Sequence, residues 1–255
     1  MRRTDSATVL DTAQDEAAGK GMKGMIPFGR PFLDYVLSGL ADAGYARVCL
    51  VIGPEHGAVR EYYEGAGRPT RLELSFAIQL EPRGTADAVL AAETFAGEQP
   101  FAVINADNYY PVGALAALRH LPRAGLIGFR RDGLLAHGNI PSERIAAFAL
   151  IEADELGGLK RIAEKPSPAE AATFGPDPLV SMNAWLLPPA IFAACRTVTP
   201  SPRGELELQD AVRYAILHLG ELFLVVESRE GVLDLSNRDD IPAVGERLRH
   251  FVVRP

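Results

Sequence analysis

Phe101-Ala102-Val103-Ile104-Asn105-Ala106-Asp107-Asn108-Tyr109-Tyr110 is an apolar run that ends in an acid–amide pair. A short apolar run bounded in this way reads as a buried strand, and an open α/β sheet holds its ligand at the carboxyl ends of such strands. Asp107 is costly to leave charged and unpaired there. A hard divalent cation such as Mg²⁺, bound together with the phosphates of a substrate, would compensate it. Asp107 could equally cap the turn into the next helix, and this stretch alone leaves both readings open.

Outward from this strand, apolar runs alternate with helical patterns, the signature of βαβ units and a mostly parallel, Rossmann-like sheet flanked by helices. Pro31 to Gly44 carries Phe32, Tyr35, Val36, Leu40 and Ala43 on a helical spacing and stops at a glycine. Strand Val48 to Ile52, helix Glu55 to Tyr63, strand Leu72 to Gln79, helix Ala86 to Phe95, the strand from Phe101 and helix Val112 to His120 continue the series. From Gly125 the strands crowd together (Gly125 to Phe129, Ile145 to Glu152, Leu159 to Glu164, Leu179 to Leu187), separated by Pro- and Gly-containing loops. This predicts an antiparallel elaboration in the second half. Helices at Leu206 to Leu219 and Arg238 to Val252 flank a last strand, Leu222 to Glu227.

The chain has 255 residues, of which 47% are hydrophobic, enough for one large core. We read residues 1–22 as a polar leader and 23–255 as a single domain, with a first half at 23–123 and a second at 124–255. A formal net charge of -7 and scattered Arg pairs argue against a nucleic-acid groove, which needs clustered cations. Cys49 and Cys195 do not make a disulfide framework or a zinc site, and His56, His120, His137, His218 and His250 lack ligand spacing. There is no apolar run of membrane-spanning length and no signal-peptide core, so a soluble cytoplasmic protein is expected.

Further segments carry chemistry. Gln79-Leu80-Glu81-Pro82-Arg83-Gly84-Thr85-Ala86-Asp87-Ala88 runs from a strand end through a turn into a helix, where Gly84 lets a ligand approach and the opening amides favour an anion or a base edge; the alternative is an ordinary turn. Lys165, between Glu164 and Pro166, suits a phosphate as a point charge or is simply solvated. Asp234 sits within the apolar segment Val232-Leu233-Asp234-Leu235 and is hard to explain as a cap, whereas Asp239 and Asp240 suit a helix start. Trp185 reads as a wall of a pocket or as core.

In this order, and with Lys23-Gly24-Met25-Ile26-Pro27-Phe28-Gly29-Arg30-Pro31-Phe32-Leu33-Asp34-Tyr35 ahead of the first long helix, these segments resemble the sugar-phosphate nucleotidylyltransferases, which include glucose-1-phosphate thymidylyltransferases. The resemblance begins at Lys23 and covers most of the chain. It implies a nucleotide-diphospho-sugar transferase-like fold, with a nucleotide-binding half and then a sugar-binding half. It implies that Lys23, Asp107 and Lys165 are catalytic, with Lys23 on the phosphates. Gln79, Gly84 and Thr85 would hold the nucleotide. Glu164 would bind sugar hydroxyls and Lys165 the sugar-phosphate group, with Trp185 lining the sugar pocket, and Asp107 and Asp234 would share Mg²⁺. The implied reaction is attack by a sugar 1-phosphate oxygen on the α-phosphorus of a nucleoside triphosphate, with pyrophosphate leaving. Partners would be those two substrates, with no nucleic acid or membrane, and a homo-oligomer is left open.

Two departures stand out. The family has a Gly where Ala149 stands. It also opens with a core strand and a Gly-rich phosphate loop that this sequence does not show. The expectation is that the first strand and loop are missing; the competing reading makes Ala7 to Leu10 the first strand, with a divergent loop. Loss of the loop keeps a second function in view: a non-catalytic relative that binds a nucleotide or nucleotide sugar and regulates a partner.

Overall fold

The structure of the protein is a computed structural model describing residues 12–19 and 21–255. The candidate strand Ala7 to Leu10 lies outside the described residues. Helix α1 (Thr12–Gly19) is polar and rests its Ala17 and Ala18 on the core. A 3₁₀ turn at Lys23–Met25 leads to α2 (Phe32–Asp42), which Pro31 starts with its fixed φ and Gly44 ends at φ +87°. Every residue of α2 from Phe32 to Leu40 is buried, including Asp34. That carboxylate accepts a 2.8 Å bond from the Tyr63 hydroxyl, and burial pushes its pKa up against the pull of Tyr63 and Arg30.

Then come β1 (Arg47–Ile52), α3 (Gly57–Glu64), β2 (Glu73–Ile78), α4 (Thr85–Ala91), α5 (Glu93–Ala96) and β3 (Phe101–Val103). The helix expected over 86–95 is thus two helices, broken at Ala92. The chain continues through β4 (Asn108–Tyr109), α6 (Val112–Arg119), β5 (Gly125–Phe129), α7 (Arg131–His137), α8 (Ser142–Ile145), β6 (Ala149–Ala153), β7 (Leu159–Ala163), α9 (Pro168–Ala172) and β8 (Leu179–Leu187). It closes with α10 (Ile191–Cys195), α11 (Leu208–Leu219), β9 (Leu224–Ser228), β10 (Leu233–Asp234) and α12 (Asp240–Leu248). The strand expected from Ile145 begins only at Ala149, because Pro141 and Ser142 open the short helix α8 ahead of it.

The α/β class is as expected, a central sheet among helices. Its ladders are more antiparallel than the alternation of helices and strands implies. Strand β8 is the organiser: it runs antiparallel to β5 along one edge, and to β6 and then β3 along the other. Only β5–β9 and β1–β2 are parallel pairs among the described residues. β1–β2 forms a sheet of its own, and β4–β10 is a two-residue antiparallel bridge. One core packs around α2 and α6 (Leu37, Leu115, Phe129); another packs around Trp185 and Phe223, with α4, α10 and α11. Full burial of such side chains, at about 1.5–3 kcal/mol each, holds the layers together.

Candidate active site

The β4–β10 bridge makes the acidic centre. It places Asp234 opposite Asn108, so residues far apart in sequence become cross-strand neighbours. With its amide nitrogen turned toward the carboxylates, buried Asn108 donates to Asp107 Oδ1 at 3.2 Å and to Asp234 Oδ1 at 3.1 Å. Lys23 Nζ, on the 3₁₀ turn, bonds Asp107 Oδ2 at 2.7 Å. Asp234 is only 2% exposed, and its pKa is raised to about 6: burial outweighs the Ser236 hydroxyl bond and the Arg144 cation, and the Asp107 and Asp240 charges push the same way. Arg144 from α8 pairs with Asp234 and also, at 2.6 Å, with Asp240 Oδ1.

This donor set suits Mg²⁺, which takes one or two carboxylates and completes its shell with phosphate oxygens and water. Both carboxylates already accept protein hydrogen bonds, Asp234 from Ser236 and Arg144 and Asp107 from Asn108 and Lys23, but only Asp107 lines the cavity, so it is the carboxylate offered there. No group of three or more His, Cys, Asp or Glu residues among the described residues could hold a metal without such help.

A second cluster forms where β8 changes neighbours. Asn183 lies between the β6-paired and β3-paired stretches of β8 and has φ +58°, a left-handed turn inside a strand that re-aims its side chain. Gln209, at the start of α11, donates through Nε2 to Asn183 Oδ1 and Glu164 Oε2, both at 2.9 Å. Burial raises the pKa of Glu164, against the Lys165 and Arg203 cations. Lys165 stands just past β7 at the exposed strand end with φ +45°, a left-handed conformation although the residue before a proline favours extended backbone.

The loop from Gln79 to Thr85 is braced internally. Gln79 Nε2 bonds Gly84 O at 3.1 Å and Asp87 Oδ2 at 2.9 Å, while Thr85 Oγ1 accepts from Leu208 N at 2.9 Å, tying the loop to α11. Gly84 has φ +126°, and a Cβ there would meet the Leu206 backbone N and O at 2.5 Å. The glycine is therefore required by a chain crossing, in addition to whatever ligand it admits.

One cavity of about 820 Å³ brings together Lys23, Asp107, Thr85 and Asn183. Asp234 stands behind Asp107, joined to it through Asn108. Of the two readings of Trp185, the core one describes its place: it is fully buried, packs edge-on against Phe223 and donates its indole N–H to Asn183 Oδ1 at 3.4 Å. Sequence reasoning missed Asn183, Gln209, Asn108 and Arg144. An amide inside the mostly apolar Leu179 to Leu187 strand was the available signal for Asn183, since a buried amide needs partners; the others become neighbours only through tertiary contacts.

The chain resembles known proteins in sequence and in shape. The family model described as Nucleotidyl transferase matches residues 19–241. A glucose-1-phosphate thymidylyltransferase of Streptomyces antibioticus is 33% identical over 187 residues, 73% of this chain and 49% of the relative. The UTP--glucose-1-phosphate uridylyltransferase AglF of Haloferax volcanii is 25% identical over 246 residues, 91% of this chain and 94% of the relative. The crystal structure of UDP-glucose pyrophosphorylase complexed with UDP-glucose superposes with a TM-score of 0.71 at 20% identity, covering 88% of this chain and 89% of that one, a likeness of fold. The chain spans about half the length of several curated relatives, the Streptomyces enzyme among them. With a family match that runs from the end of α1 into α12 and takes in Lys23, Asp107, Glu164 and Asp234, this chain belongs to the nucleotidyl transferase family.

Proposed function

We propose that the protein transfers a nucleoside monophosphate from a nucleoside triphosphate to a sugar 1-phosphate, releasing pyrophosphate and forming a nucleotide sugar. The observation that carries this reading is the placement of the Lys23–Asp107 ion pair and Asn183 on one cavity. Phosphoryl-type transfer needs little covalent help: positioning of the reactants and cations placed where charge develops carry most of it. Lys23 supplies a cation at the triphosphate, with Gln79, Gly84 and Thr85 holding the nucleotide. Glu164 and Asn183 orient sugar hydroxyls, and Lys165 receives the sugar phosphate. Mg²⁺, when held by Asp107 with Asp234 behind it, would neutralise phosphate charge. Residues 23–123 would then serve as the nucleotide half and 124–255 as the sugar half.

Pyrophosphate release measured with Mg²⁺, pooled nucleoside triphosphates and pooled sugar 1-phosphates tests this reading. Release that requires both substrates and falls at least about 100-fold in a folded Asp107→Ala variant is expected. Absence of release from the folded protein would shift the reading to the second function, a nucleotide- or nucleotide-sugar-binding regulatory relative.

A further inference from the structure

The amide cluster at β8 has a hydrogen-bond polarity that its own members fix. Gln209 is 4% exposed and stands on the first turn of α11. Its Nε2 donates to Glu164 Oε2 and to Asn183 Oδ1, both at 2.9 Å. The carboxylate decides which way round this amide stands. Glu164 Oε1 has the Arg203 guanidinium 4.0 Å away, which favours the ionised, acceptor-only form, and a Gln209 oxygen turned toward it would be repelled. Nε2 therefore lies between Glu164 and Asn183, and Asn183 has to meet it with oxygen. A second donor agrees: the indole N–H of buried Trp185 points to the same Oδ1 at 3.4 Å.

With Oδ1 taken twice, Asn183 keeps its Nδ2 donors, which have no protein partner among the described residues. Asn183 is half-buried and lines the cavity that also holds Lys23 and Asp107. Donors left free in such a place suit an acceptor on a ligand. The backbone holds the arrangement from both sides. Asn183 has φ +58° inside β8, and Leu208 N donates to Thr85 Oγ1 at 2.9 Å, which anchors the turn that carries Gln209. Because one nitrogen holds both Glu164 and Asn183, the two lie close enough to meet neighbouring hydroxyls of a single sugar ring.

We propose that Gln209 is a positioning residue that sets Asn183 as a hydrogen-bond donor and Glu164 as an acceptor, so that the site selects a neutral sugar 1-phosphate with two free neighbouring hydroxyls, one accepting and one donating. A carboxylate at the donating position meets like charge at Glu164, and an ammonium at the accepting position meets the N–H groups of Asn183. The inference rests on the reaction proposed above and narrows the sugars it takes.

The test compares the preferred of glucose, galactose and mannose 1-phosphates with its deoxy and deoxyfluoro analogues at each hydroxyl-bearing carbon, in wild type and in Gln209→Leu. Fluorine accepts a hydrogen bond, weakly, and donates none. In wild type the deoxy compounds at two neighbouring positions are expected to raise KM at least about tenfold. At one of these the fluoro compound recovers at least about threefold, marking the hydroxyl that accepts from Asn183; at the other it recovers nothing, marking the hydroxyl that donates to Glu164. Gln209→Leu should raise KM for the sugar 1-phosphate at least about tenfold, leave KM for the nucleoside triphosphate within about twofold, and erase the contrast between fluoro and deoxy compounds. Should Gln209→Leu fail to fold, Gln209→Glu is read instead: its carboxylate has to take Asn183 by the nitrogen, and the fluoro-tolerant position is lost. Retention of the contrast in the folded variant would overturn the proposal, as would a wild type in which fluoro and deoxy compounds behave alike everywhere. The same series is read as binding by calorimetry, so that a wild type without pyrophosphate release, which refutes the reaction, still reports the polarity of the site. A wild type that binds none of the three sugar phosphates would overturn the proposal as well.

Discussion

At the residue scale, the site is a set of charges held by neighbours that sequence does not pair. Asp107 was legible because an acid at the end of an apolar run is chemically conspicuous; its dependence on Asn108 and Lys23 was not, because a hydrogen bond leaves no periodicity. Arg144 illustrates the point. It holds Asp234 and Asp240 together, and Arg144→Ala leaves a buried carboxylate short of its counter-ion, an expected cost of about 3 kcal/mol that chemical denaturation would read directly. Asn183→Ala removes one orienting amide, and an increase of about tenfold in the KM for sugar 1-phosphate, with the KM for nucleotide little changed, is expected from steady-state kinetics. Asp34 gives a pH signature away from the site. Its folded pKa is raised, so its favourable contribution is complete below the ordinary value of 3.8 and is lost as pH rises through the folded value. Asp34→Asn keeps an acceptor for Tyr63. Its melting temperature relative to wild type should therefore climb between pH 4 and pH 7; a flat difference across that range would contradict the assignment.

At the element scale, most helices and strands were visible in the sequence because hydrophobic spacing and terminal signals agree there. α2 lies between Pro31 and Gly44, and β5 and β8 begin and end where their apolar runs do. What spacing could not give was partner choice. β8 exchanges β6 for β3 halfway along, at a residue with positive φ, and that switch creates the Asn183 cluster. The loop before α4 shows the same limit. Gly84 looked like room for a ligand and also proves to be room for the Leu206 backbone. Gly84→Ala should cost about 1–3 kcal/mol from backbone strain alone, with the contact adding to it, and should lower the melting temperature even if nucleotide affinity survives. A neutral substitution would mean that the two segments do not meet so closely.

At the scale of the whole molecule, the β1–β2 pair is attached through helices and loops, with no ladder to the main sheet among the described residues. Elements with fewer shared partners open at lower free energy. Amides of β1 should therefore exchange faster than those of β5, whose five residues are all buried between two neighbouring strands; equal rates by hydrogen-exchange mass spectrometry would contradict this. By itself the sequence determined the α/β class, the order of the elements, the acidic strand end and the segments that place the chain in its family, because those follow from local spacing and side-chain chemistry. Only the tertiary structure decided that Asp234 sits beside Asn108, that Trp185 is core, that Asn183 and Gln209 join Glu164, and that β1 pairs with β2 while β3 pairs with β8. Those are contacts between segments distant in sequence, fixed by which strand edges meet, and no local pattern of residues encodes them.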